Sequence, residues 1–185
     1  MTERYPTFLP GQRITAQLLA SAQPMVVRKT SDTPRSAFTT TTADPELQFA
    51  VEANAVYIMD GWVKASGDPA GDLTLDWSAP TGSLGEWMGH GAGNSPISAN
   101  GSPGALIADT ASVRGYLIRT ESNDVTAARG FGMISTTDLL TIALCGTLRV
   151  GSTAGTYSLD WAQTSSNASA TTIYTDSWLR LQRIA

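Results

Sequence analysis

One cysteine and one histidine in 185 residues leave almost nothing to build a metal centre from. A structural zinc site takes about four N or S ligands, and Cys145 has no second thiol with which to form a disulfide. Its place inside the apolar run 139–150 predicts a buried, inert thiol. Charge is scarce as well: Asp, Glu, Lys and Arg make up 15% of the chain, against about a quarter in ordinary soluble domains. The net charge is −4 and no basic run exceeds Arg28-Lys29, which excludes the electrostatic footprint of a nucleic-acid or anionic-membrane binder. No apolar stretch approaches the length of about 18 residues that spans a bilayer. Met1 to Pro6 lacks the apolar core of a signal peptide. These absences predict a product that is soluble when made and does not insert into membranes.

What fills the chain is Gly, Ser, Thr and Ala around a 42% hydrophobic share. That mixture suits strands, tight turns and surfaces covered by neighbours, and the length suits one domain that buries roughly 70% of its unfolded surface. The first 24 residues stand apart. Gln12 to Ala22 places Ile14 and Leu18 four apart with Leu19 beside them, and Pro24 ends the pattern, which predicts a helix of about three turns. So short a helix is marginal alone. It either packs on its own domain or anchors the chain to a neighbouring subunit or larger assembly.

From residue 25 onward the period is two. Strands are expected at 25–30, 47–51, 54–64 with a bulge at Gly61, 72–77, 105–110, 112–120, 124–133, 139–150, 156–161, 171–174 and 178–184. Residues 31–34 read as a turn, Thr39 to Thr42 as an edge strand or extended loop that is covered or short, and the glycine-rich stretch 80–104 as a loop. About ten strands with frequent turns predict a mostly β fold: an antiparallel two-sheet jelly-roll sandwich over 25–185, preceded by a short N-terminal helix in an anchor segment, 1–24.

One internal correspondence supports this. The pattern G-x-x-A-G-x-x-x-L-D-W occurs at Gly67–Trp77 and again at Gly151–Trp161. Alternation turns Leu73, Leu75 and Trp77 inward in the first copy and Tyr157, Leu159 and Trp161 inward in the second. Asp72, Thr74 and Asp76, and Ser158 and Asp160, are expected to point the other way.

Candidate chemistry is thin. His90, in Gly89-His90-Gly91, has neither a Gly-x-Ser-x-Gly elbow nor other histidines to work with, so it reads as a loop residue at solvent or at an interface. Glu52, Asp60, Asp76, Glu86 and Asp160 are the carboxylates a two-acid glycosidase would draw on. Asp76 and Asp160 occupy equivalent places in the repeat. Asp68 to Asp72 lacks the alternating oxygen ligands of an EF-hand calcium loop, and no glycine loop ends in the Lys-Ser/Thr of a phosphate site. No cofactor is expected. Five tryptophans remain. Trp77 and Trp161 read as core. Trp87, in the glycine-rich loop, either caps the core or contacts a ligand, a glycan or a subunit.

Several stretches are similar to small virion proteins, the minor tail proteins of actinobacterial phages. They are Leu9-Pro10-Gly11-Gln12-Arg13-Ile14-Thr15-Ala16, Val27-Arg28-Lys29-Thr30-Ser31-Asp32-Thr33, Ala70-Gly71-Asp72-Leu73, Trp77-Ser78-Ala79-Pro80-Thr81-Gly82, Leu159-Asp160-Trp161-Ala162-Gln163 and Ser177-Trp178-Leu179-Arg180-Leu181-Gln182-Arg183-Ile184. The closing strand resembles those that end trimeric jelly rolls of the tumour-necrosis-factor type. The resemblance implies a non-enzymatic component of the virion, tail-associated or fibre-like and homotrimeric. It implies partners among other tail or capsid proteins, and distal loops facing a host surface glycan. Ile14, Leu18 and Leu19 would anchor it, and Trp178, Leu179 and Leu181 would lie at the subunit interface. Trp87 and His90 are the candidates for ligand contact. Alternatives are a capsid decoration or head-fibre protein, a carbohydrate-binding module, and a polysaccharide-degrading enzyme.

Overall fold

Strict alternation of buried and open positions builds this molecule. Along Val56–Ser66, Tyr57, Met59, Val63 and Ala65 are buried while Ile58 and Trp62 are open to solvent, as a strand with one face on a core requires. The computed structural model describes residues 5–92, 116–117 and 125–185. Twelve strands and one helix occur among them: α1 (Ala16–Ser21), β1 (Met25–Arg28), β2 (Thr33–Arg35), β3 (Thr42–Val51), β4 (Val56–Ser66), β5 (Leu73–Ser78), β6 (Leu84–Ala92), β7 (Tyr116–Leu117), β8 (Arg129–Phe131), β9 (Leu140–Arg149), β10 (Gly155–Ala162), β11 (Thr171–Ile173) and β12 (Trp178–Arg183).

Two antiparallel sheets face each other. The larger runs β1-β12-β4-β9-β6-β7, with β11 beside β4 and β2 beside β11; the smaller runs β3-β10-β5-β8. The chain alternates between them, β1 to β3, β4 to β5, β8 to β9, β10 to β12, and the outer members of each run pair with the inner ones. That is the doubled Greek key of a jelly roll, as the strand count and turn spacing predict. The two copies of the repeat supply neighbouring strands: β5 and β10 pair with Trp77 opposite Leu159 and Leu75 opposite Trp161. All the residues expected to point inward do so. Trp77 stacks flat on Tyr157, with centroids 4.7 Å apart, and meets Trp87 edge-on at 6.0 Å. This aromatic group fills the space between the sheets.

The structure corrects several expectations. The helix has six residues, because Gln12 to Thr15 is not helical and the Thr15 hydroxyl accepts the Leu18 N–H, fixing the start at Ala16. Gly61 makes no bulge: β4 pairs without interruption with β12 and β9 through it. The irregularity lies instead in β10 against β3, between Ser158 and Asp160. Gly61 is needed for closeness, since a Cβ there would lie 2.4 Å from Leu179 Cδ2. Residues 84–92 form strand β6 rather than a loop, and residues 33–35 are an edge strand where Pro34 is tolerated. The strand expected over 124–133 is confined to Arg129–Phe131. The strand expected at 105–110 and all but Tyr116–Leu117 of 112–120 lie outside the described residues.

Candidate interaction face

The outer face of the larger sheet is assembled from alternate residues of five strands. In one row across the strands Arg28, Trp178, Trp62, Ala143 and His90 are successive neighbours; in the next come Val26, Arg180, Asp60, Cys145 and Met88; in a third, Gln182, Ile58, Thr147 and Glu86. Directly paired residues on antiparallel strands point the same way, so these side chains share one surface. Val26 is 61% exposed, Ile58 43% and Trp62 42%. Large apolar groups open to water on one flat face are what a recognition surface presents.

The charges on this face are largely matched within it. Arg180 Nε donates to Asp60 Oδ1 at 2.8 Å. At the margin Arg28 pairs with Asp176, which also lies 3.8 Å from Lys64 Nζ. A partner covering the centre would therefore meet few uncompensated charges, whose burial is the main cost of polar interfaces. Cys145 is half-buried on this face rather than in the core. Burial, then the Asp60 charge across the pairing, pushes its thiol up, which keeps it protonated and a poor nucleophile.

The sequence-derived residues divide unevenly over this surface. Trp178 lies on it, half-buried. Leu179 and Leu181, by contrast, are wholly buried in the core, because β12 has a single inward face and these two occupy it. They hold the sandwich together and cannot touch a neighbour. Trp87 is buried too, 1% exposed within β6, so it is a core residue and not a loop contact. His90 falls on the outward side of the same strand, half-buried beside Ala143. Val26, Ile58 and Trp62 were missed. The alternation of 56–64 alone sets Ile58, Asp60, Trp62 and Lys64 on one side, and that signal was sufficient to find Ile58 and Trp62.

The N-terminal segment is a second open apolar region. Phe8, Leu9, Ile14 and Leu19 are exposed, Leu18 is half-buried, and α1 buries no residue. Contact with the sandwich includes Tyr5, whose ring lies 3.9 Å below the Arg183 guanidinium.

The two carboxylates of the repeat are brought together. Asp160 of β10 stands directly opposite Asp76 of β5 on the outer face of the smaller sheet. Asp160 accepts the hydroxyls of Ser78 and Ser158, each at 2.7 Å, and Asp76 accepts the Thr41 hydroxyl and the Trp77 N–H. Their oxygens are thus engaged by the protein's own groups. The 68–72 turn is held by hydrogen bonds from Gly71 and Asp72 N–H to the Asp68 carbonyl, while Asp72 Oδ1 accepts the Met133 N–H. Among the described residues no group of three His, Cys, Asp or Glu side chains is placed to hold a metal ion.

No family model matches the chain, and no curated protein matches it. A chain from the structure of infectious bursal disease virus, Gt strain, aligns over 88% of this chain at 10% identity, with a TM-score of 0.20. This chain spans 38% of that one's length. A likeness of that size carries no argument about function.

Proposed function

We propose that this protein is a non-enzymatic structural component of a phage virion, displayed on the tail or as a fibre-like domain, and self-associated as a homotrimer through the outer face of the larger sheet. The observation that carries this reading is the open apolar surface around β12, where Val26, Trp62 and Ile58 lie exposed beside a half-buried Trp178. Aromatic and aliphatic side chains of this kind, with charges paired among themselves, form the centre of subunit interfaces. The number three, and the virion itself, rest on the resemblance of the chain to actinobacterial phage minor tail proteins and of its closing strand to trimeric jelly rolls. In this arrangement the exposed Phe8, Leu9, Ile14 and Leu19 of the N-terminal segment serve as the anchor to the tail. A head-fibre or capsid decoration protein would use the same two surfaces with a different attachment partner.

Light scattering of the purified chain tests the association. A stable species of three times 19.5 kDa is expected, and a monomer at all working concentrations would overturn the trimer.

A second reading rests on the same tryptophans. Trp62 and Trp178 are neighbours on one flat face, a platform on which a carbohydrate-binding module would stack a sugar. Saturable quenching of tryptophan fluorescence by host-wall glycans in a monomeric protein would favour that reading.

A further inference from the structure

Lys29, the residue after β1 of the larger sheet, reaches across the sandwich to Asp44 on β3 of the smaller one. Both side chains are 0% exposed. Lys29 Nζ lies 2.9 Å from each carboxylate oxygen of Asp44, donates to Thr33 Oγ1 at 2.8 Å, and is 3.5 Å from Glu46 Oε2. Fixed donors hold the Asp44 oxygens from the far side. Oδ1 accepts the backbone N–H groups of Glu46 (3.0 Å) and Leu47 (3.3 Å), and Oδ2 accepts the Trp161 indole N–H at 3.1 Å.

A dry amine against a dry carboxyl, with a second carboxylate in reach and donors aimed at the carboxyl oxygens, is more than an ion pair requires. We propose that Lys29 and Asp44 condense to an isopeptide bond, a covalent strap joining the two sheets. An amine 2.9 Å from both oxygens lies about 3 Å from Cγ, within the range of a near-attack arrangement, where proximity is worth an effective molarity of about 10⁵ M or more. Burial favours the product as well, since two charges taken from water become one neutral amide.

The step balances without an oxidant or reductant. Glu46 carries one ammonium proton to Asp44 Oδ2, leaving a neutral amine beside a neutral carboxyl. The nitrogen lone pair forms the N–Cγ bond, and the negative charge that develops on Oδ1 faces the Glu46 and Leu47 N–H groups, as in an oxyanion hole. Nitrogen loses its second proton by the same route to Oδ2, the Cγ–Oδ2 bond breaks, and one water leaves. Glu46 is returned unchanged. Hydrogen bonds from Thr30 and then Ser31 hold the Glu46 carboxyl down at about 2, so it is ionised and ready to accept a proton, but the transfer is uphill and condensation is slow compared with folding.

This inference is independent of the virion reading. Its test is the intact mass of the purified, denatured wild-type chain after storage in the folded state. The expected mass is one water below that of the sequence, with a proteolytic fragment in which the Lys29 and Asp44 peptides are joined. Lys29→Ala and Asp44→Ala are expected at their full sequence masses, and Glu46→Gln, altered at a partly exposed side chain, is expected to fold without losing water. A wild type at full sequence mass, or a water loss that persists in Lys29→Ala, overturns the proposal. Complete condensation in Glu46→Gln overturns the proton route.

Discussion

Trp178 and Trp62 stand directly opposite each other across the β12–β4 pairing, both on the face turned away from the core. Neither ring is needed to fill the sandwich, so replacing one separates association from folding. Trp62→Glu is expected to abolish self-association in light scattering. It should leave the unfolding free energy of the subunit within about 0.5 kcal/mol, as for an exposed substitution. A variant that stays associated would move the interface elsewhere.

Two buried indoles differ in what their loss should cost. Trp161 donates Nε1–H to Asp44 and lies under the Arg35 guanidinium at 4.0 Å, whereas Trp77 Nε1 is buried with no hydrogen-bond partner. In the chain before condensation, Trp161→Phe leaves a buried Asp44 carboxylate oxygen short of a donor and is expected to cost about 1–3 kcal/mol. Trp77→Phe removes an unsatisfied donor along with some packing volume, and should cost at least about 1 kcal/mol less than Trp161→Phe. Urea unfolding midpoints at constant slope measure both.

Acid should weaken the fold through Glu46. Its carboxyl sits at about 2 rather than 4.5, held there by the Thr30 hydroxyl and N–H and then by those of Ser31. The folded value lies below the unfolded one, so the stabilisation is fully present above pH of about 4.5 and is lost as pH falls through about 2. Thermal melts across that window should fall less steeply for Glu46→Gln than for wild type. Equal slopes would remove Glu46 from the acid transition.

Gly146 faces backbone, not a yielding side chain. A Cβ there would lie 2.4 Å from the Glu86 carbonyl oxygen and 3.0 Å from Trp87 Cα. Gly146→Ala must push β9 from β6 and is expected to destabilise by about 1–3 kcal/mol, the usual cost of overpacking. Calorimetry of the purified variant measures it.

The sandwich was legible because alternation is a local signal. The inward set of the repeat, Leu73, Leu75, Trp77, Tyr157, Leu159 and Trp161, is buried as read. Faces were less legible than strands. Leu179 and Leu181 alternate as cleanly as Trp178 and Arg180, and nothing in that alternation tells which side meets the core until β12 is placed between β1 and β4. Trp87 was hidden by its glycines: Gly85, Gly89 and Gly91 suggest a loop, yet a Cβ at each would press on Thr147, Phe131 or Ile142. They are close-packing positions in a strand. The Lys29–Asp44 pair joins residues of different sheets, and no spacing rule announces it.

The pairing of β12 with both β1 and β4 also sets an order of events. Met25 finds its partner in Leu181, and Arg28 in Trp178, so the earliest strand of the sheet waits for the latest to be synthesised. During translation β1 therefore has no β12 to pair with until residues 178–183 have cleared the ribosome, and the open sides of β1 and β4 are available to other nascent chains. Closure by a late, long-range strand makes folding slow and cooperative.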